Sequence, residues 1–285
     1  MTSTYREFHY AAPDGVKLFC RDYAPEKPAG TVLCLAGITR NSRDFTALAQ
    51  ALSARYRVLT PDLRGRGHSE WDANFEHYHP KIYYQDLLTL LANEVRGPVA
   101  VIGTSLGGIL AMSLASLSPH LVAGIVINDI GPELAPAGVA RLGTYVGLRA
   151  TPGSWAEAAA QMRATYEDAY PDFGESNWMA FAQASHRERE DGTVVADYDP
   201  AIGKAMRAQS VTPLNLWPMW ATLKLPALAI RGLRSDLLSA ETFDRMAAEK
   251  PDLVRIEVPN RGHVPMLIEP EVLAGIERFL AGIFP

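Results

Sequence analysis

Ser105 stands in the pattern G-x-S-x-G, which reads here Gly103-Thr-Ser-Leu-Gly107. The run Val99–Ile102 before it is apolar and rich in β-branched residues, which predicts a buried strand. Behind it, apolar residues recur at helical spacing over Leu106–Leu117. A strand that turns sharply into a helix strains its central residue and needs small neighbours. The pattern therefore predicts a serine hydroxyl at a helix N-terminus, where a developing anion is stabilised.

A serine hydroxyl needs a histidine base, and a carboxylate behind that base, to act as a nucleophile near neutral pH. Loops that follow the carboxyl ends of strands can bring such groups together in an open sheet. His263 follows the last predicted strand, and Asp236 follows the predicted strand before it. The order Ser105, Asp236, His263 is the one expected for a serine on such a turn. Asp129 is the alternative carboxylate, and Asp236 is preferred because its loop is polar and tight.

Acyl transfer also needs two backbone N–H groups that bind the oxyanion of the tetrahedral intermediate. Leu106 directly follows the serine and is expected to supply one of them. Ile38, in the loop after the predicted strand ending at Ala36, is expected to supply the other. Gly37 is expected to let that loop approach the serine closely, the alternative being that it is an ordinary turn glycine.

The remaining chain reads as a hairpin followed by alternating strands and helices. The turn Pro13-Asp14-Gly15 separates the two strands of the hairpin. The segment 131–217 is rich in proline and glycine and predicts helices without a good strand. Residues 1–130 and 218–285 are therefore expected to form one α/β core with a largely parallel sheet. The segment 131–217 is expected to be a helical cap over the carboxyl ends of the strands.

Composition limits the possible classes of protein. The chain has 285 residues, of which 48% are hydrophobic, and a formal net charge of −5. Its dispersed charges argue against a nucleic-acid partner, and no apolar run reaches the ~18 residues of a membrane span. The N-terminal residues lack the apolar core of a secretory signal. Cys20 and Cys34 lie in strand-like runs and are interpreted as buried hydrophobes, which favours a cytoplasmic protein.

Several other side chains are interpreted as structural. His68, His77 and His79 lack the ligand spacing of a metal site, so no metal is expected. Arg40 and Arg43 are interpreted as surface arginines, the alternative being that they bind an acidic substrate. Aromatic residues of the 131–217 segment and its exit are interpreted as the core of the cap, the alternative being a pocket lining. They are Trp155, Tyr166, Trp178, Phe181, Trp217 and Trp220.

These motifs together resemble the α/β-hydrolase superfamily over nearly the whole chain. Asp62-Leu-Arg-Gly-Arg-Gly-His-Ser69 is similar to the family's D-x-x-G-x-G-x-S loop. One departure is Ala36-Gly37, where many members have His-Gly. The resemblance implies a mostly parallel eight-stranded sheet with helices on both faces, an inserted cap and no cofactor. It indicates no oligomeric state.

The serine nucleophile narrows the expected chemistry. Similar epoxide hydrolases and haloalkane dehalogenases have an aspartate at the position of Ser105. The sequence thus favours a hydrolase of a small or medium carboxylic ester or lactone that works through an acyl-enzyme on Ser105. One alternative is hydrolysis of a carbon–carbon bond beside a carbonyl, as in meta-cleavage hydrolases. The other is a non-catalytic protein of the same fold that binds a small molecule.

Overall fold

The computed structural model describes residues 5–148, 150–209 and 214–285. Within these ranges, no helix is both long enough and apolar enough to cross a membrane. Residue 149 and residues 210–213, which belong to the predicted cap, lie outside the described residues, as does the start of the N-terminal segment, residues 1–4.

Eight of the ten strands of the described chain form one mostly parallel sheet, as predicted, and the other two form a separate hairpin. The strands of the structure are β1 (Arg6–Ala11), β2 (Lys17–Tyr23), β3 (Thr31–Leu35), β4 (Arg57–Pro61), β5 (Val99–Thr104), β6 (Val122–Asn128), β7 (His186–Glu188), β8 (Val194–Ala196), β9 (Ala227–Gly232) and β10 (Val254–Val258). The order in the large sheet is β1-β2-β4-β3-β5-β6-β9-β10. Among the strands of this sheet only β2 runs opposite to the others, since it pairs antiparallel with both of its neighbours, β1 and β4.

Helices cover both faces of this sheet. The helices of the described chain are α1 (Thr46–Leu52), α2 (Pro80–Glu94), α3 (Leu106–Leu117), α4 (Pro136–Tyr145), α5 (Trp155–Tyr166), α6 (Glu175–Ser185), α7 (Ala201–Gln209), α8 (Trp217–Trp220), α9 (Ala240–Glu249) and α10 (Pro270–Ile283). Apolar residues of α2, α3 and α9 join one hydrophobic cluster, and those of α1 and α10 join another.

The central strand β5 shows how the two clusters are separated. Val99 and Val101 belong to the first cluster, whereas Ala100 and Ile102 belong to the second. Successive side chains of a strand point to opposite faces, so a strand between two helical layers is apolar at every position. This burial on both faces explains why the run Val99–Ile102 before Ser105 is apolar at every position.

The segment between β6 and β9 carries α4 to α8 and a small hairpin. Its residues from α5, α6 and β8 form a third cluster of buried side chains, which includes Met162, Trp178 and Phe181. Other parts of the segment, such as Ile202 of α7, pack into the first cluster with the sheet. The segment therefore has a hydrophobic cluster of its own and also packs against the first cluster.

The small hairpin corrects the expectation that 131–217 contains no strand. Strands β7 and β8 pair antiparallel, and the chain turns between them at Asp191 and Gly192. Gly192 has a φ of 81°, and Asp191 Oδ1 accepts a hydrogen bond from the Thr193 N–H. Asp-Gly is a hairpin turn signal, but β7 reads His-Arg-Glu without a β-branched residue, and strands of three residues are too short for periodicity to reveal.

Candidate active site

The turn from β5 into α3 has the predicted strained geometry. Ser105 has a φ of 53° and a ψ of −117°, a conformation that is rare for residues other than glycine. The flanking glycines are required because a Cβ at Gly103 would lie 2.1 Å from the Gly107 carbonyl oxygen. A Cβ at Gly107 would lie 1.9 Å from the carbonyl oxygen of Leu35 in β3. The sequence thus forces Ser105 out of the sheet at the start of α3.

His263 connects Ser105 to a carboxylate. The His263 Nε2 atom lies 3.0 Å from Ser105 Oγ, and its Nδ1 atom lies 2.8 Å from Asp129 Oδ2. All three residues are buried, and Asp129 is fully inaccessible. A carboxylate at Nδ1 favours the tautomer in which Nδ1 carries the proton and Nε2 accepts from the serine hydroxyl. This arrangement can remove the proton of Ser105.

Asp236 does not lie against His263, so the prediction that its carboxylate orients the histidine was wrong. Its side chain forms an ion pair with Arg141 of α4, with Oδ1 2.9 Å from Arg141 Nη2. Burial alone would raise the pKa of Asp236, but the hydrogen bonds and charge of Arg141 outweigh it and hold the pKa below its ordinary value. Asp236 links the core to the segment between β6 and β9.

Sheet order explains why Asp129 takes this place. Asp129 directly follows β6, the neighbour of β5 in the sheet, and Ser105 directly follows β5. Asp236 lies four positions beyond the end of β9, which is one strand further from β5. The sequence shows which residues follow strands, but it does not show which strands are neighbours.

Asp129 is fixed by a set of hydrogen bonds that sequence reasoning missed. Its Oδ1 accepts from the Gly232 N–H at 2.8 Å, and its Oδ2 accepts from Ser235 Oγ at 2.6 Å. Asn128 Nδ2 donates to the Pro265 carbonyl at 2.8 Å and so fastens the loop of His263 to β6. Polar side chains at the end of a buried apolar strand were the available signal for Asn128 and Asp129.

The two predicted oxyanion donors lie beside Ser105. Leu106 is the first residue of α3, so its N–H has no partner within the helix. Among the described residues, no hydrogen-bond acceptor faces the N–H of Ile38. The Ile38 carbonyl accepts a hydrogen bond from Arg66 Nε at 2.9 Å, and this bond holds the loop in position. Both N–H groups are therefore available to an oxygen bound beside Ser105.

Two cavities meet at Ser105. The first, here called the histidine-side cavity, measures about 70 Å³ and is lined by His263 and Arg40, among others. The second, here called the apolar cavity, measures about 500 Å³ and is lined by Leu106 and Ile109, among others, but not by His263. Clefts with mainly apolar walls and a few polar groups are typical of sites for small molecules.

The aromatic residues of the predicted cap divide into wall and core. Tyr166 and Phe181 line the histidine-side cavity, together with Tyr145 and Tyr170, which were not predicted. Trp178 packs in the third cluster. The other three aromatic residues contact protein groups away from these cavities. Trp155 Nε1 donates to Glu188, Trp217 Nε1 donates to Glu133, and Trp220 is buried in the first cluster.

The interpretation of Arg40 and Arg43 as surface residues was wrong. The Arg40 side chain is only 12% exposed, pairs with Asp44 and lines the histidine-side cavity. Arg43 lies 2.8 Å from Asp197 and donates to the carbonyl of His186 at 2.9 Å. Arg43 therefore links the core to the segment between β6 and β9, whereas Arg40 faces the site.

Of the three histidines considered for a metal site, His77 has its imidazole beside two carboxylates. Potential ligand atoms of Asp14, Asp72 and His77 lie within 4.8 Å of one another. The guanidinium of Arg64 contacts both carboxylates, at 2.8 Å and 2.6 Å. Arg64 thus supplies the positive charge at this cluster. His68 packs against Phe19 instead.

The fold and the strand–turn–helix geometry at Ser105 are those of one family, and comparisons with known proteins identify it. The alpha/beta hydrolase family matches residues 32–276, and this chain belongs to it. A crystal structure of an alpha/beta hydrolase from Novosphingobium aromaticivorans superposes with a TM-score of 0.93, at 39% identity, over 99% of both chains.

Two curated relatives match most of the chain. The 3-hydroxybutyrate-oligomer hydrolase of Cupriavidus necator is 34% identical over 259 residues, which cover 88% of each chain. The 2-(acetamidomethylene)succinate hydrolase of Mesorhizobium japonicum is 28% identical over 260 residues, which cover 90% of each chain. Both relatives are hydrolases by name, as the family predicts.

Proposed function

We propose that this protein is a carboxylic ester hydrolase that works through an acyl-enzyme on Ser105. The single observation that carries the proposal is the hydrogen-bonded chain from Ser105 Oγ through His263 to Asp129, with distances of 3.0 Å and 2.8 Å. Charge-assisted contacts of this length hold a histidine in the tautomer that accepts the serine proton.

The first half of the reaction transfers the acyl group to the enzyme. Ser105 Oγ attacks the carbonyl carbon while His263 Nε2 takes its proton, and Asp129 stabilises the imidazolium. The N–H groups of Ile38 and Leu106 bind the oxyanion that forms. The intermediate then breaks its ester C–O bond, and His263 returns the proton to the leaving oxygen.

The second half regenerates the enzyme. A water molecule gives a proton to His263 and attacks the acyl carbon, and the new tetrahedral intermediate releases the carboxylic acid and Ser105. No step needs a metal or an organic cofactor. The segment 131–217 acts as the cap, because its Leu142, Tyr145 and Tyr166 line the cavities at Ser105 and limit the access of water.

The name of the Cupriavidus relative suggests which esters to test first. That relative is a hydrolase of 3-hydroxybutyrate oligomers, and such oligomers are linked by ester bonds. We therefore propose short hydroxyacyl esters, within the broader class of small esters and lactones. Cys20 and Cys34 are buried free thiols, which fits a protein of the reducing cytoplasm.

The test compares wild type with Ser105→Ala on esters, lactones and a diene-diol ketone. We expect Ser105-dependent ester hydrolysis, with the alanine variant folded and its kcat lower by about 10⁶-fold. Ester hydrolysis that survives in a folded Ser105→Ala protein would refute the assignment. Faster turnover of the ketone would favour carbon–carbon bond hydrolysis, and tight binding without turnover would favour a binding protein.

A further inference from the structure

The position of His263 distinguishes the two cavities that meet at Ser105. In ester hydrolysis the base that accepts the serine proton must next deliver it to the leaving oxygen. The leaving alcohol therefore lies on the side of Ser105 that His263 occupies. His263 lines the histidine-side cavity, whereas Ser105 and Leu106 line the apolar cavity without it. On this basis the acyl chain lies in the apolar cavity and the alcohol part in the histidine-side cavity.

Arg40 and its ion-pair partner Asp44 both line the cavity assigned to the alcohol, and Arg40 brings the positive charge there. Its stem runs past Gly37, where a Cβ would lie 3.5 Å from Arg40 Cγ and 3.7 Å from Ser105 Cβ. Arg40 Cγ and Ser105 Cβ therefore lie no more than about 7.2 Å apart, on either side of Gly37. The Arg40 guanidinium carbon lies 4.3 Å from the centroid of the Phe181 ring, which holds the planar group against the aromatic wall.

One edge of this guanidinium is bound and another nitrogen is free. Asp44 accepts hydrogen bonds from Nε, at 2.7 Å, and from Nη2. Among the described residues, Arg40 donates side-chain hydrogen bonds only from Nε and Nη2, and none from Nη1. Asp44 thus fixes the orientation of the Arg40 guanidinium, and Nη1 can still donate a hydrogen bond to a ligand. The Asp44 side chain is 22% exposed, so solvent screens part of its charge.

We propose that Arg40 binds a carboxylate carried by the alcohol part of the substrate, through Nη1 in the histidine-side cavity. The preferred substrate is then an ester of a hydroxy acid whose own acid group is free, and the released alcohol is a hydroxy carboxylate. The cavity of about 70 Å³ holds several water-sized groups, enough for a short chain with a carboxylate. This inference rests on the proposed esterase function.

The test uses two esters that differ only in this charge. One is the butanoyl ester of 3-hydroxybutyrate, and the other is the butanoyl ester of 3-hydroxybutyramide, its neutral isostere. Wild type should show a kcat/KM about ten-fold or more higher for the carboxylate, as a charge-assisted hydrogen bond provides. Arg40→Gln should reduce the ratio of the two values to about one, and Arg40→Lys should restore part of it.

Arg43→Gln is the matched control, since Arg43 lies three positions away and binds Asp197 instead of lining the cavity. It should keep the wild-type ratio. If Arg40→Gln does not fold, wild type answers the question alone: 3-hydroxybutyrate should inhibit competitively at concentrations at which 3-hydroxybutyramide does not. A wild-type ratio near one, or a preference that Arg40→Gln retains, would overturn the inference alone. Failure to hydrolyse either ester through Ser105 would overturn the esterase proposal as well.

Discussion

At the scale of single residues, Asp129 and Asp236 have different surroundings and partners although both follow strands. Asp129 is fully buried and reaches His263 Nδ1, while Asp236 pairs with Arg141 and its side chain is 34% exposed. A buried carboxylate with three hydrogen-bond donors can hold and stabilise an imidazolium. A partly exposed carboxylate that already has a guanidinium partner affects His263 only through a screened charge.

Conservative amide variants separate these roles. We expect Asp129→Asn to lower kcat by about 10⁴-fold, as loss of the orienting carboxylate does in serine proteases, because the histidine loses its tautomer. Asp236→Asn should change kcat by about five-fold or less. Steady-state kinetics of both variants on one ester make the comparison. The reverse order of effects would return the role to Asp236.

Sequence reasoning located most of this site because its signals are local. Ser105 is marked by its glycines, and His263 by its place after the last strand, and the structure brings these two side chains together. The choice between Asp129 and Asp236 depended on strand order, which is a property of the whole sheet. The inward direction of Arg40 depended on the packing of Phe181, a residue 141 positions away in the chain.

At the scale of elements, the packing of α3 on the sheet decides where Ser105 lies. The first turn of α3 contacts β3 directly, because Gly107 presents no side chain to the Leu35 carbonyl. The sequence predicted these elements well, since each buried strand and amphipathic helix carries its own periodicity. It missed β7 and β8, whose three-residue strands carry none.

Two glycine-to-alanine substitutions test this packing. Gly107→Ala should lower the free energy of unfolding by about 3 kcal/mol or more, because backbone atoms cannot yield to the new Cβ. Gly143→Ala is the matched control within α4, where nothing lies within 4 Å of the new Cβ. It should raise stability by up to about 1 kcal/mol through helix propensity. Equal effects of the two substitutions in urea unfolding would contradict the close contact of α3 and β3.

At the scale of the whole molecule, ion pairs join the 131–217 segment to the rest of the chain. Arg43 binds Asp197, and Arg141 binds Asp236. Sequence reasoning placed this segment over the strand ends but did not foresee the links, since the partners lie 154 and 95 positions apart. Charge pairs between residues far apart in the chain have no sequence signature.

The Arg141–Asp236 link predicts a dependence of stability on pH. Because the pKa of Asp236 is lowered in the folded protein, its contribution is complete above the unfolded pKa of about 3.9 and is lost as the pH falls through the folded value. Wild type should exceed Asp236→Asn by about 1 kcal/mol in unfolding free energy at pH 7. Urea unfolding at stepped pH should show this difference shrink as the pH falls below about 3.9. A difference that grows with acidity would contradict the link.

The central claim is that His263 and Asp129 activate Ser105 as a nucleophile. The most direct measurement is the intact mass of the protein after reaction with a fluorophosphonate, for wild type and Ser105→Ala. We predict one adduct on wild type, mapped to Ser105, and none on the alanine variant. An unlabelled but folded wild-type protein, or an adduct that persists in Ser105→Ala, would contradict the claim.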